Sequence, residues 1–444
     1  MELLELSLKQ AEEVYNLHMK RDFSDKLRPW SNCLSLWEKG LYMCLGLFED
    51  GGLRAYGFFV KIGGFPYVLL DYLAACEAFR GRGYGSRFMS MAGSHFSGME
   101  GIMLECEAPS AAENEEEYFL RRRRIDFYMR CKAVLTRACC HMFGVDYSIL
   151  LYPVKLEKPE EAPAASIMDE FYHTMYPPKA YREKVSLWVD LSDKGLLEAL
   201  DIRNRIPRVI SLVGGGGKTT VMYELAEELE SIGKKVIVTT STHIRKPADY
   251  RTVTAERAEE LKKIPWDHGI LVTGREAEDG KLKGMAEEEL EKLSAYCDVL
   301  LIEADGAKCL PLKVPMIHEP VIIPATELVI ACAGLDCVGR PFKDYCFRYE
   351  KACGLLEKRP EDIISEEDVA EILCSLEGSR KAVEGREYRI ILNKADDEER
   401  KRMAERIIGH CRKEYTGITA VTAFEQGKMA LALKSGPWKG DQDE

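Results

Sequence analysis

No apolar run in this sequence approaches the length needed to cross a bilayer, which excludes a membrane-spanning helix and points to a soluble protein. No CxxC pair occurs among its 15 cysteines, whose closest groupings are Cys139 with Cys140 and Cys332 with Cys337. No secretory leader opens the chain, so the expectation is reduced thiols in the cytoplasm. Basic residues are in deficit: 62 Lys and Arg stand against 74 Asp and Glu, a formal net charge of −12. That balance argues against non-specific binding of the whole chain to nucleic acid or to an anionic membrane surface. No internal repeat is present.

What is present is a chain of 444 residues, too long for one ordinary core, with 46% apolar and 31% charged residues. Texture divides it. Residues 1–155 alternate strand-like and helical runs. Residues 156–185 begin rich in Pro, Ala and charge ("KLEKPEEAPAAS") and read as a linker and tail, the latter free to pack on either side. Residues 186–444 alternate strands and helices until near Phe424, and "SGPWKGDQDE" reads as a frayed end.

In the second half the apolar runs "RVISLV", "KKVIVTT", "GILVTG", "DVLLIEAD", "ELVIACAG", "YRIILNKAD" and "ITAVTA" are mostly continuous rather than alternating. Continuous runs suit strands covered on both faces. With helical patterns between them, such as Val221, Leu225, Leu229 and Ile232, the expected fold is an α/β domain with a mainly parallel, doubly wound sheet.

"VISLVGGGGKTT" runs from such a strand into such a helix. A helix N-terminus offers unpaired N–H groups and partial positive charge, glycines let the backbone curl around phosphate, and a Lys and a Thr follow to reach the terminal phosphates and Mg²⁺. Gly214, Gly215, Gly216, Gly217, Lys218, Thr219 and Thr220 are the candidate residues. Leu212 breaks the first glycine of GxxxxGKT, but the spacing xGGxGKT fits from Val213 to Thr219. The strand "DVLLIEADGA" ends in Glu303 and Asp305, where such folds place an acid for Mg²⁺ or for orienting water, and one of the two is expected to cap the next segment instead. "VIVTTSTHI" brings Thr239, Thr240, Ser241, Thr242 and His243 to another strand end. "ILNKAD" supplies Asn393, Lys394 and Asp396, a pattern that reads guanine, since a carboxylate pairs two donors that adenine lacks. GTP is favoured over ATP, which stays open.

Residues 186 to about 424 resemble the accessory proteins of selenium-dependent molybdenum hydroxylases, the YqeC-like family, through "GGGGKTT", "TTSTHI", "EADGAKCLPLKVPMIHEPVIIP" and "LNKAD". The resemblance implies a P-loop nucleotide-binding domain that helps to mature such a hydroxylase, with the apoenzyme or its cofactor precursor as partner. In "KCLPLKVP", Lys308 and Lys313 lie near the acids and offer either a hold on an anion or solvated loop charge.

The first half holds a second glycine turn, Arg80-Gly81-Arg82-Gly83-Tyr84-Gly85, between an apolar strand and a helical pattern. Consecutive N–H groups at a helix start suit a diphosphate. The register Arg-x-x-Gly-x-Gly resembles the pyrophosphate loop of the GNAT acyltransferases, with Arg80, Arg82, Gly83 and Gly85 as its residues here. "LGLFEDGGLRAYGFFVK" reads as a hairpin and "GIMLECE" as the strand that splays to admit the acyl-pantetheine arm of acetyl-CoA or another acyl-CoA. The resemblance implies Tyr128 as the acid for the departing thiolate, although Lys132 and Ala133 replace the Gly-Phe that ends its motif. Glu105, ahead of Glu107 and Glu77, is the candidate base for a small-molecule acyl acceptor. The joint expectation is a fusion of an acyltransferase-like domain with an NTP hydrolase or phosphotransferase. Its alternative is a nucleotide-switched delivery protein whose first half only senses CoA.

Overall fold

The computed structural model describes residues 1–23, 27–266, 268–278, 280–412, 414–425 and 428–435. It is mixed α/β, and it divides into a unit spanning Met1–Val189 and a second unit beginning at Asp190. The frayed end expected after Ser435 lies outside the described residues.

In the first unit, β1 (Glu2–Glu5), β2 (Tyr42–Glu49), β3 (Gly52–Lys61) and β4 (Tyr67–Ala75) pair antiparallel in sequence order, the "EDGG" turn closing the expected hairpin. β5 (Gly101–Glu107) then joins β4 in parallel. β6 (Val134–Met142), β7 (Val145–Pro153) and β8 (Val185–Asp190) extend the sheet antiparallel from β5 in the order β7-β6-β8. One face is covered by the helices Tyr84–His95 and Glu115–Arg130, through Phe88, Met89, Ala92 and Ile125.

The segment expected to be a linker and tail is part of this unit. Its helix Ala164–Met175 buries Ile167, Met168, Phe171, Tyr172 and Met175 against the opposite face of the sheet, where Tyr56, Phe58, Leu69 and Met103 meet it. The apolar spacing of one, three, one and three residues is helical, and burial of those side chains outweighs the Pro- and charge-rich lead-in.

The second unit is built on a parallel sheet. Its strands are β9 (Val209–Gly214), β10 (Val236–Thr240), β12 (Arg251–Thr254), β13 (Ile270–Glu276), β15 (Val299–Glu303), β17 (Leu328–Gly334), β19 (Glu387–Asn393) and β20 (Thr419–Glu425). They pair in the order β12-β13-β10-β15-β9-β17-β19-β20. Short β11 (His243–Arg245) and β14 (Lys281–Lys283) form a ribbon, β16 (Leu312–Lys313) pairs with β18 (Cys346–Phe347), and β21 (Lys428–Ser435) closes the β20 edge antiparallel.

The helix Lys218–Ser231 packs one face through Val221, Met222, Leu225 and Leu229, while Glu287–Leu293, Glu366–Cys374 and Glu398–Cys411 cover the other. After β9 the chain builds one side of the sheet, returns at β15, and then crosses to β17 on the other side. The crevice at the strand C-termini therefore opens at the end of β9, where α/β sheets bind ligands.

Candidate functional site

Leu212, which breaks the usual loop motif, is a fully buried β9 residue, so the turn begins only after it. The backbone leaves β9 at Gly214 with φ +92°, passes Gly216 at +68° and Gly217 at +105°, and enters the helix at Lys218. Side chains are excluded as much by neighbours as by torsion. A Cβ on Gly214 would lie 2.3 Å from the Cys332 carbonyl oxygen, and one on Gly215 2.6 Å from that of Leu310.

The loop is held by the protein itself. Gly214 donates its N–H to Asp305 Oδ2 (3.1 Å), Gly215 to the Cys332 carbonyl (2.9 Å) and Gly216 to the Leu310 carbonyl (3.1 Å). Beyond them, the backbone N–H groups of Lys218, Thr219 and Thr220 have no partner among the described residues, and both threonines are exposed. Orphan donors of this kind at the start of a 14-residue helix are able to take an anion.

Lys218 is folded into the loop: its ammonium donates to the Gly214 carbonyl (2.5 Å) and lies 3.1 Å from Asp305 Oδ1 and 3.9 Å from Glu303 Oε1. Burial alone would depress its pKa, but the two carboxylates outweigh burial and hold it above the ordinary lysine value. Glu303 also shifts upward, but here burial prevails: it pushes the carboxyl up against the pull of Lys218.

The acids separate in role. Glu303 Oε2 accepts from the Thr219 hydroxyl at 3.0 Å, so a carboxylate and a hydroxyl converge at the solvent edge of the loop. That donor set fits Mg²⁺, a hard cation that keeps several waters. Asp305, the other candidate metal ligand and catalytic acid, lies deeper. Its Oδ2 accepts the Gly214 N–H and lies 3.1 Å from Lys313, and its Oδ1 lies 3.1 Å from Lys218, so in this structure it braces the loop.

The "NKAD" stretch has protein partners of its own. Asn393, at the end of β19, donates to the Gly216 carbonyl (2.8 Å) and accepts from Thr422 (3.0 Å), so it braces the glycine loop. Lys394 reaches Asp336 (2.6 Å), and Asp396 pairs with Arg400 at the surface (2.7 Å). Sequence reasoning could not separate these roles, because the reach of Asn393 depends on β19 and β9 lying on either side of β17.

The first unit forms a fork. Pairing of β4 with β5 runs from Tyr67 with Gly101 to Leu70 with Leu104 and then stops, while both strands continue. Asp71 is the extra residue of a bulge there, since Phe58 and Phe59 of β3 face Tyr72 and Leu70. Glu105 is the first unpaired β5 residue on the β4 side, half-buried toward the appended helix. Burial pushes its carboxyl up to about 7, while a hydrogen bond from the Tyr172 hydroxyl pulls the opposite way. Asp71 accepts from Tyr42 (2.5 Å) and lies 3.6 Å from Arg28, which donates to Tyr176 (3.1 Å). Tyr172 and Tyr176 escaped the sequence reading because they belong to the supposed linker. Tyr172→Phe is expected to raise the Glu105 pKa further above 7, measurable as an upward shift in its ¹³C-carboxyl NMR titration.

Tyr128 lies on the opposite face of the sheet beside Cys106, its hydroxyl pushed up by burial. Lys132, which stands where the GNAT-like pattern has glycine, adopts φ +77°, so the left-handed turn is kept without the glycine. At the turn of residues 80–85, Gly81 (φ +75°) and Gly83 (φ +81°) open the helix Tyr84–His95, and Gly85 packs on Phe127. Arg80 is committed to Asp22 (2.7 Å), which leaves exposed Arg82 as the turn's available cation.

Comparison with known proteins finds its family match within the second unit. The family model described as YqeC protein matches residues 210–350. A curated relative, the uncharacterized protein YqeC of Escherichia coli (strain K12), is 38% identical over 142 residues, 30% of this chain and 54% of the relative. The chain thus spans about half the length of the curated relative it matches. Similar solved structures include the ribosomal-protein-S18-alanine N-acetyltransferase from Escherichia coli (14% identity, 35% of this chain, 94% of that chain, TM-score 0.27). An aminoglycoside 6'-N-acetyltransferase complexed with coenzyme A is another (12% identity, 35% and 97% coverage, TM-score 0.29). No helix among the described residues is long and apolar enough to cross a membrane.

Proposed function

We propose that the second unit, with its YqeC-family region, binds a nucleoside triphosphate at residues 214–220, and that the first unit binds acyl-CoA at its fork. The observation that carries the first part is Lys218, a charged ammonium held among Asp305 and Glu303 at the end of β9, beneath the open N–H groups of a helix start. In this reading Lys218 turns from the Gly214 carbonyl to the terminal phosphates, and the N–H groups of residues 218–220 take phosphate oxygens. Thr219 and Glu303 hold Mg²⁺, which when bound neutralises phosphate charge. GTP remains favoured over ATP through Asp396, which must leave Arg400 to face a base.

In the first unit, Arg82 and the turn at 80–85 take the CoA diphosphate, Glu105 accepts the amine proton, and Tyr128 protonates the departing thiolate. The acceptor is a small-molecule amine. A selenium-dependent molybdenum hydroxylase or its cofactor precursor is the proposed partner of the second unit, on the strength of the sequence resemblance.

Calorimetry with Mg-GTP, Mg-ATP and acetyl-CoA on the intact chain tests both parts. Each true ligand at 100 times its Kd adds about 2.7 kcal/mol of stability. Thr219→Ala, at an exposed side chain, is expected to leave the melting temperature of the free protein within a degree or two while abolishing the Mg²⁺-dependent gain in nucleotide affinity. If no nucleotide binds the wild-type chain with or without Mg²⁺, the proposal for the second unit fails.

A nucleotide-switched binding protein is the second reading, favoured by the tie between Gly216 N–H and the Leu310 carbonyl. A loop that moves for phosphate then moves the segment 307–313 with it. Partner capture that depends on nucleotide state, with no phosphorylated product released, would distinguish it.

A further inference from the structure

Lys313 is the most deeply buried charge in the second unit and has no part in the chemistry above. Its side chain is fully inaccessible, yet its ammonium lies 3.1 Å from Asp305 Oδ2, 3.2 Å from Glu319 Oε2 and 2.8 Å from the Gly306 carbonyl, with the Phe347 ring 5.6 Å away. Asp305 in turn lies between two lysines, Lys218 on one oxygen and Lys313 on the other, and accepts the Gly214 N–H. A buried charge survives only when paired, and removing one partner exposes the full desolvation cost of the other.

We infer that Lys313 is the positioning residue that lets Lys218 leave Asp305 for phosphate. When Lys218 turns outward, buried Asp305 loses one of its two cations. Lys313 keeps it compensated, and Glu319 pairs with Lys313 in turn. Without Lys313 the whole negative charge of Asp305 is directed at Lys218, which is then held back from the ligand. Lys313 thus sets nucleotide affinity without touching nucleotide. The inference rests on the nucleotide-site reading given above.

The two partners predict opposite signs. Lys313→Met is expected to weaken Mg-GTP and Mg-ATP binding by about tenfold, because Asp305 then grips Lys218 alone. Asp305→Asn is expected to tighten binding by about tenfold, because it releases Lys218. The double variant, with both charges gone, should return to within about threefold of the wild-type Kd, a large coupling between adjacent sites.

Calorimetry on the full chain reads all three, and urea unfolding without nucleotide reads the structural cost separately. A wild-type chain that binds neither nucleotide sinks the underlying reading and this inference together. Wild-type binding with an unchanged Kd in Lys313→Met and Asp305→Asn, whatever the change in unfolding midpoint, sinks the inference alone. So does weaker binding in Asp305→Asn, which would make Asp305 a ligand of the metal. Should Lys313→Met not fold, the sign for Asp305→Asn and the Kd of the double variant decide.

Discussion

Gly216→Ala is expected to destabilise the second unit by about 3 kcal/mol or more and to abolish nucleotide binding. Two costs combine. The residue sits at φ +68°, where an L side chain costs about 1 kcal/mol or more. Its Cβ would also lie 2.0 Å from the Gly334 nitrogen and 2.5 Å from the Ala333 carbonyl carbon. Both obstacles are β17 backbone, so no side chain can rotate away. The loop must back off, and with it go the Gly216 bonds to the Leu310 carbonyl and from the Asn393 amide. Gly81→Ala in the first unit supplies the control. Its φ is +75° but nothing lies within 4 Å of the added methyl, so only the torsional cost of about 1 kcal/mol remains. Urea midpoints followed by circular dichroism separate the two. A Gly216→Ala chain that unfolds at the wild-type midpoint would show that the loop does not pack as described.

Glu105→Gln is expected to lower acyl transfer by a factor of about 10² to 10⁴, the usual worth of a positioned base. The wild-type rate should rise with pH through about 7, the value to which burial pushes this carboxyl, and the variant should lose that limb. Stability gives a second readout with a defined sign. A carboxyl whose folded pKa exceeds its unfolded value keeps its proton in the native state while the unfolded chain has already released it. Its contribution is therefore fully present below about 4.5, is lost as pH rises from there to about 7, and is flat above. The melting temperature of the wild type should fall across that window relative to Glu105→Gln. Parallel curves for the two proteins would place the carboxyl outside the buried fork.

Much of the sheet was legible in the sequence because continuous apolar runs report burial on both faces, and each of those runs in the second half is a strand. "GGGGKTT" was legible because its chemistry is local: strand, turn and helix start follow one another within a few residues. What was not legible was of two kinds. Ala164–Met175 carried helical spacing, but its lead-in of Pro and Glu suggested a linker, and spacing does not tell which surface receives a helix. Asp305 and Asn393 stood out as candidate side chains, but their protein partners could not be read. Asp305 is claimed by Lys313 and Asn393 by the Gly216 carbonyl, contacts across eight and 177 positions that only the packed crevice brings together.

The same crevice leaves one cysteine in an unusual position. Of the 15 cysteines, only Cys309 is exposed; Cys131 and Cys139 are half-buried and the rest are inaccessible. Cys309 and its neighbour Lys308 both adopt positive φ (+62° and +48°), and the next residue, Leu310, is the one whose carbonyl receives the Gly216 N–H. Exposure governs which thiols a reagent reaches first. The wild-type chain therefore carries its own attachment point for a fluorophore or spin label, one residue from the contact joining the phosphate loop to the segment 307–313. Opening of that contact can be followed spectroscopically in the unmodified sequence, without introducing a reporter by mutation.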